Sequence, residues 1–239
     1  MMVKYDGQKL RDYLLDELPD LDHPLEEVLV FVMGPYTTTD LTYYYDDIDD
    51  EDEFPDSDFG AFSEEDDMHE VLEHVVEILR EEIGVSAFIA TQANIPYDDD
   101  DEYANEKPIV NILAQSKGYA TVSDIVIFVL PFGGIRDGVD IEIGAILEAN
   151  INKPVTDAFE FNSENDDKTD SIGHDGADKF SILKEEGIQS ETIKSLQEHY
   201  DVSLISFDSE MRLGLQLRVI VSNRIDQLEV DNDPDAEIR

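Results

Sequence analysis

Five short stretches of the chain are rich in apolar, β-branched and aromatic residues, and the segments between them repeat apolar positions every three to four residues. The five are VLVFVM at 28–33, SAFIAT at 86–91, DIVIFVL at 124–130, FSILK at 180–184 and VSLISF at 202–207. Runs such as VLVFVM and IVIFVL have no polar alternate positions, so they read as strands covered on both faces. The intervening segments 68–83, 109–121, 139–149, 190–199 and 210–225 read as helices. In the first of these Val71, Leu72, Val75, Val76 and Leu79 share one stripe. A further short amphipathic helix is predicted over 9–18, ending before Pro19.

Strand and helix therefore alternate five times, which predicts an α/β fold: a five-stranded parallel sheet with helices on both faces. Right-handed crossovers leave few topologies. The order 2-1-3-4-5 of a flavodoxin-like three-layer sandwich is expected, and it makes the first and third strands neighbours. Residues 40–67, 98–102 and 159–176 are polar or acidic and read as inserted loops; Tyr43, Tyr44 and Tyr45 lie in the first, as a ligand lid or as its anchor. The expected organisation is a helical extension over 1–27, the α/β domain over 28–226 and an acidic tail over 227–239, with its end frayed.

Charge narrows the picture. Among 239 residues there are 59 Asp and Glu against 16 Lys and Arg, a formal net charge of −43. In dilute buffer such a compact state repels itself; in molar salt the Debye length falls to about 3 Å and the repulsion is screened. The acids are spread along the whole chain, as expected of a halophilic protein from a haloarchaeon or one of its viruses, in a salt-filled cytoplasm. The rival is an acidic protein with a basic partner. No window offers the clustered Lys and Arg that nucleic acid needs, and anionic membranes are disfavoured for the same reason. The longest apolar run, 125–132, falls short of the roughly 20 residues of a membrane span, and residues 1–15 lack the apolar core of a signal peptide. With no cysteine, thiolate metal sites and cysteine nucleophiles are excluded. His69, His74 and His174 have no metal-site spacing. Asp231, Asp233, Asp235 and Glu237 start like a calcium loop but lack its glycine. No cofactor or metal is expected.

Ligands of open α/β sheets bind beyond the C-terminal strand ends, where the strand order reverses. The loops after the first and third strands meet there. The first carries Gly34, Pro35 and Tyr36; the second carries Gly133, Gly134, Arg136, Asp137 and Gly138. In the helix that follows, Val139, Ile143, Ile146 and Leu147 face the sheet, and the phase puts Glu142 with them while Glu148 lies off that stripe. Glu142 is also in the first turn, where backbone N–H groups favour an anion. A carboxylate held at a crevice mouth suits a nucleophile or general base; an ordinary first-turn glutamate remains the alternative. The glycines serve either to turn and pack the chain or to admit a ligand.

The segments VFVMGPYTTTD and SDIVIFVLPFGGIRDGVDIEIGAILEANINKP together resemble the nucleoside 2-deoxyribosyltransferase-like superfamily, and most closely a haloarchaeal branch of it. The shared features are a first strand ending in Gly-Pro near an aromatic, and Gly-x-x-x-Glu-apolar-Gly opening a helix, here Gly138 to Gly144 with Glu142 as the glutamate. The likeness spans residues 28–225. It implies a flavodoxin-like fold and cleavage or transfer at the N-glycosidic bond of a nucleoside or nucleotide, with Glu142 attacking the anomeric carbon as in retaining glycosidases. It implies that Tyr36 lines the sugar pocket and orients Glu142, that Gly34 lets backbone approach the ligand, and that Pro35, Gln92, Gly133, Gly134, Arg136, Asp137, Gly138 and Ser116 belong to the substrate site. A homo-oligomer that completes the site is a further possibility of the fold.

Two positions depart from the family pattern. Arg136 stands where an acid is usual, with Asp137 beside it; either it meets a substrate phosphate or it is a surface arginine. Ser116 stands where the family carries an aspartate that helps protonate or orient the base. The competing expectation is therefore a nucleotide-binding or sensing module on the same fold, and behind it an acidic interaction protein.

Overall fold

The computed structural model describes residues 3–19, 21–35, 67–96, 110–131, 139–152, 160–161 and 176–232. Its centre is a five-stranded, all-parallel sheet made of β3 (Leu29–Met33), β4 (Ser86–Phe88), β5 (Ile125–Leu130), β7 (Phe180–Glu185) and β8 (Ser203–Phe207). The order is β4-β3-β5-β7-β8, which is 2-1-3-4-5 as expected. All four pairings are parallel, with Val30 opposite Ile125 and Val126 opposite Phe180. The fold is a flavodoxin-like three-layer α/β sandwich.

The unbroken apolar runs have a direct cause. Every residue of β3 and β5 is buried. Val30, Val32, Ile125, Ile127 and Val129 point into one core, while Leu29, Phe31, Met33, Val126, Phe128 and Leu130 point into the other. A strand between two helical layers has no wet side for polar residues to occupy. One layer holds α2 (Met68–Glu77) and α6 (Glu210–Asn232); the other holds α1 (Leu10–Glu17), α3 (Ile112–Val122), α4 (Val139–Leu147) and α5 (Glu191–Tyr200).

Side-chain caps set the helix starts. Asp67 accepts from the His69 N–H, Asn111 from Leu113 and Ser190 from Ile193, each satisfying a donor that the first turn leaves open. The 68–83 segment is α-helical to Glu77 and ends in a π-helical stretch, Ile78–Ile83, stopped by Gly84 at φ +85°. A side chain there would strike the His23 ring, so both the left-handed backbone and the space demand glycine. The C-terminal carbonyls of α3 are held by two cations: Arg11 donates to Val122 O at 2.8 Å and Lys179 to Ala120 O at 2.6 Å. Burial, with Arg224 nearby, lowers the Lys179 ammonium to about 8.

Several boundaries differ from the sequence reading. The second strand stops at Phe88, and Ala90–Ala93 forms a 3₁₀ turn. The helix after β5 becomes π-helical over Glu148–Asn152. The closing helix runs on to Asn232, into the start of the segment read as tail. The N-terminal segment is not only helical: β1 (Val3–Tyr5) and β2 (Gln8–Lys9) form a hairpin before α1. Within the stretch read as a loop, β6 (Glu160–Phe161) pairs antiparallel with β1. Val3, Tyr5, Leu10, Tyr13, Leu14 and Leu18 join the same core as Phe31 and Phe128, so this segment is part of the packed body. The tyrosines at 43–45, His174 and residues 233–239 lie outside the described residues.

Candidate functional site

β5 delivers the chain to the C-terminal edge of the sheet, and α4 returns from it beside α3. Val139, Ile143, Ile146 and Leu147 of α4 are buried against the sheet. Glu142 sits one step around the helix from that stripe, half-buried, and turns toward α3. Its Oε1 lies 2.7 Å from the Ser116 hydroxyl. Ser116 is 3 % exposed and its Oγ is also 3.2 Å from the Ile112 carbonyl oxygen. Glu142 and Ser116, 26 apart in sequence, are thus in direct contact.

The contact accommodates both protonation states of Glu142. A serine hydroxyl has one proton and two lone pairs. When Glu142 is ionised, Ser116 donates to it; when Glu142 is neutral, it donates to Ser116, whose own O–H then points to Ile112 O as a hydrogen-bond donor. Burial raises the Glu142 pKa above the usual glutamate range, and the Ser116 hydrogen bond opposes that rise. The result is a carboxylate that is easier to neutralise than a surface one, held in the first turn of a helix.

The other expected site residues divide. Gly34 and Pro35 are buried at the end of β3. A Cβ on Gly34 would penetrate the Val129 carbonyl oxygen and come within 2.9 Å of Leu72 Cδ2. That space belongs to β5 and α2, so close packing accounts for this glycine, and the side on which a Cβ would stand faces away from the α3–α4 layer. Gln92 accepts from Arg80 Nη2 at 3.1 Å, while Arg80 Nε donates to Ala87 O at 2.7 Å; Gln92 is thereby tied to the π-helical end of the α2 segment. Tyr36, Gly133, Gly134, Arg136, Asp137 and Gly138 lie outside the described residues. Gly144 faces α5, where a Cβ would make an ordinary contact with Leu196 at 3.5 Å.

Two acids at the same end were passed over in the sequence. Glu185 closes β7 and is fully buried; its only signal is its place, with Lys184, at the end of the apolar run 180–183. Asp140 accepts from Ser190 at 3.1 Å, and Ser190 also caps α5. Glu148, off the inward stripe by helical phase, accepts from the Tyr200 hydroxyl at 3.0 Å; burial, with this contact beside it, pushes that phenol up to about 12. His69 contacts Thr91 at 3.1 Å and His74 contacts Glu210 at 2.7 Å. Among the described residues no group of His, Asp and Glu is arranged to hold a metal ion, and no helix is long and apolar enough to cross a membrane.

One family model covers residues 11–236, nearly the whole chain. The chain belongs to the family described as a domain of unknown function, DUF7509. In this DUF7509 chain the match begins within α1 and runs past the end of α6, so the N-terminal helix and the three-layer body are one family unit. No curated protein matches the chain.

Proposed function

We propose that this DUF7509 protein breaks or transfers the N-glycosidic bond of a nucleoside or nucleotide, with Glu142 as nucleophile. The observation that carries the reading is the half-buried Glu142 carboxylate, 2.7 Å from the Ser116 hydroxyl, in the first turn of the helix leaving β5. In the proposed step a Glu142 oxygen bonds to the anomeric carbon as the carbon–nitrogen bond breaks. The bond's electron pair leaves with the base, which takes up a proton. Water or a second base then attacks the anomeric carbon and frees Glu142. Partial desolvation makes the carboxylate a better nucleophile than one in bulk water, and the Ser116 hydroxyl fixes its direction.

A specific observation favours a second reading, a non-catalytic nucleotide-binding or sensing module. The group facing Glu142 is a hydroxyl, where the family resemblance calls for a carboxylic acid. At neutral pH a serine cannot protonate a departing base, so an acid would have to come from elsewhere in the site.

A product screen in molar KCl separates the two. Nucleosides, nucleotides and NAD are incubated with the protein, free base is measured chromatographically, and binding is followed by calorimetry. Base release that disappears in Glu142→Gln supports the enzyme. Binding of a nucleotide without release supports the sensor. Neither release nor binding across the panel overturns both.

A further inference from the structure

We propose that the outer face of α6 is a two-fold interface between two copies of this chain, with Gly214 of each copy facing Gly214 of the other across the axis. On its inner side α6 packs Leu213, Leu217, Ile220 and Val221 against the sheet. On the opposite side Met211, Leu215 and Val219 are 77 %, 50 % and 50 % exposed. They stand at i, i+4 and i+8, one continuous line along the helix. Only six large apolar side chains are exposed among the described residues, and half of them form this line.

Charge singles out the same face. Residues 210–225 hold one acid, Glu210, in a chain with net charge −43; Arg212 and Arg218 are exposed there, while the half-buried Arg224 turns inward to the Asp124 carbonyl oxygen at 3.3 Å. Two copies of so acidic a chain repel each other, and the exposed arginines of this helix offset part of that repulsion. Molar salt screens the residual repulsion and leaves apolar burial to drive association.

The shape is self-complementary. An open groove of about 390 Å³ is lined by Ile78, Glu82, Glu210, Met211, Gly214, Leu215 and Arg218. A Cβ on Gly214 would meet nothing within 4 Å, so the helix surface is open at that point. Met211, a flexible side chain suited to irregular gaps, lies three residues away. A two-fold axis beside Gly214 sets the two α6 helices antiparallel. Met211 of each copy then enters the other's groove at the level of its Arg218, as an isologous contact requires. The same axis places Glu210 of one copy opposite Arg218 of the other, each four residues from Gly214. Arg218 already pairs with Glu82 at 2.7 Å on the groove wall, and its guanidinium has donors for a second carboxylate.

The test uses the full chain in molar KCl. Light scattering coupled to gel filtration is expected to give the mass of two protomers. Met211→Glu combined with Leu215→Glu changes only exposed side chains, so the circular dichroism spectrum stays the same while the mass halves. The natural chain has no cysteine, so Gly214→Cys gives one thiol per copy. Mild oxidation is expected to link it to its symmetry mate, whereas Ser222→Cys, two turns along, stays unlinked. A single-protomer mass at all concentrations overturns the proposal and leaves the face to another occupant, such as this chain's own acidic segment or a foreign acidic protein. So does a dimer unaffected by the double substitution, or one that Gly214→Cys fails to cross-link.

Discussion

Ser116 has one hydroxyl proton to give and stands within reach of two acceptors, and this sets what should happen when either partner is changed. Glu142→Gln keeps the size and the hydrogen bond but removes the charge. If Glu142 is the nucleophile, base release should fall by several powers of ten. Stability should move the other way. The folded-state pKa of Glu142 is raised, so its contribution to stability is present at low pH and is lost as pH rises through that value. At neutral pH the ionised group therefore costs stability, and the Gln variant should melt at the same temperature or about 1–3 °C higher. A clear drop in melting temperature would contradict the cause assigned to the shift. Glu198→Gln on the exposed side of α5 is the control; Glu148 does not serve, because Tyr200 donates to it. Ser116→Ala removes the one interaction that lowers the Glu142 pKa, so the acid limb of the activity–pH profile should move to higher pH. An unmoved limb would show that Ser116 does not set the ionisation of Glu142.

At the scale of elements, β3 and β5 lie side by side, and Gly34, just past the end of β3, is closed in by β5. Gly34→Ala would drive a methyl group into the Val129 carbonyl oxygen and against Leu72. The oxygen belongs to the backbone of a central strand and cannot swing aside, so a loss of about 1–3 kcal/mol is expected, measured by thermal or denaturant unfolding in high salt. An unchanged midpoint would mean that β3 can draw back from β5. At the other end of the sheet Asp124 binds three elements together. Its Oδ2 accepts from Arg11 at 2.7 Å and from the Leu29 N–H at 2.9 Å. Asp124→Ala leaves both donors without that acceptor and should cost about 1–3 kcal/mol. Asp124→Asn, which retains an acceptor oxygen, should cost less; equal losses would show that charge, not hydrogen bonding, carries the effect. Legibility also differed at this scale. All five sheet strands and their helices could be placed from periodicity, because each long element has one or two apolar faces. β1, β2 and β6 could not, because two- and three-residue strands are too short to show a period and form only by pairing with distant chain. The π-helical ends of α2 and α4 were equally silent, since their spacing differs from an α-helix by one residue in the last turn.

For the whole molecule the controlling quantity is charge. A net charge of −43 on a body of this size should make folding depend on ionic strength. The melting temperature should rise strongly from dilute buffer to molar KCl, as followed by circular dichroism. A salt-independent melt would remove the case for salt adaptation. The sequence by itself determined the alternation of strand and helix, the parallel class of the sheet, the two-sided burial of β3 and β5, and Glu142 as the residue to watch. These follow from local properties: the period of apolar positions, caps, and the first turn of a helix. Tertiary structure alone decided that Ser116 is the group touching Glu142, that Gly34 is demanded by a neighbouring carbonyl, that Gln92 is held by Arg80, and that Glu185 is fully buried. Each depends on which residues, far apart in sequence, are brought side by side, and helical phase cannot say which neighbour a half-buried side chain turns toward. It placed Glu142 on the sheet-facing stripe; the packing of α3 against α4 set it one step around, with its carboxylate on a hydroxyl.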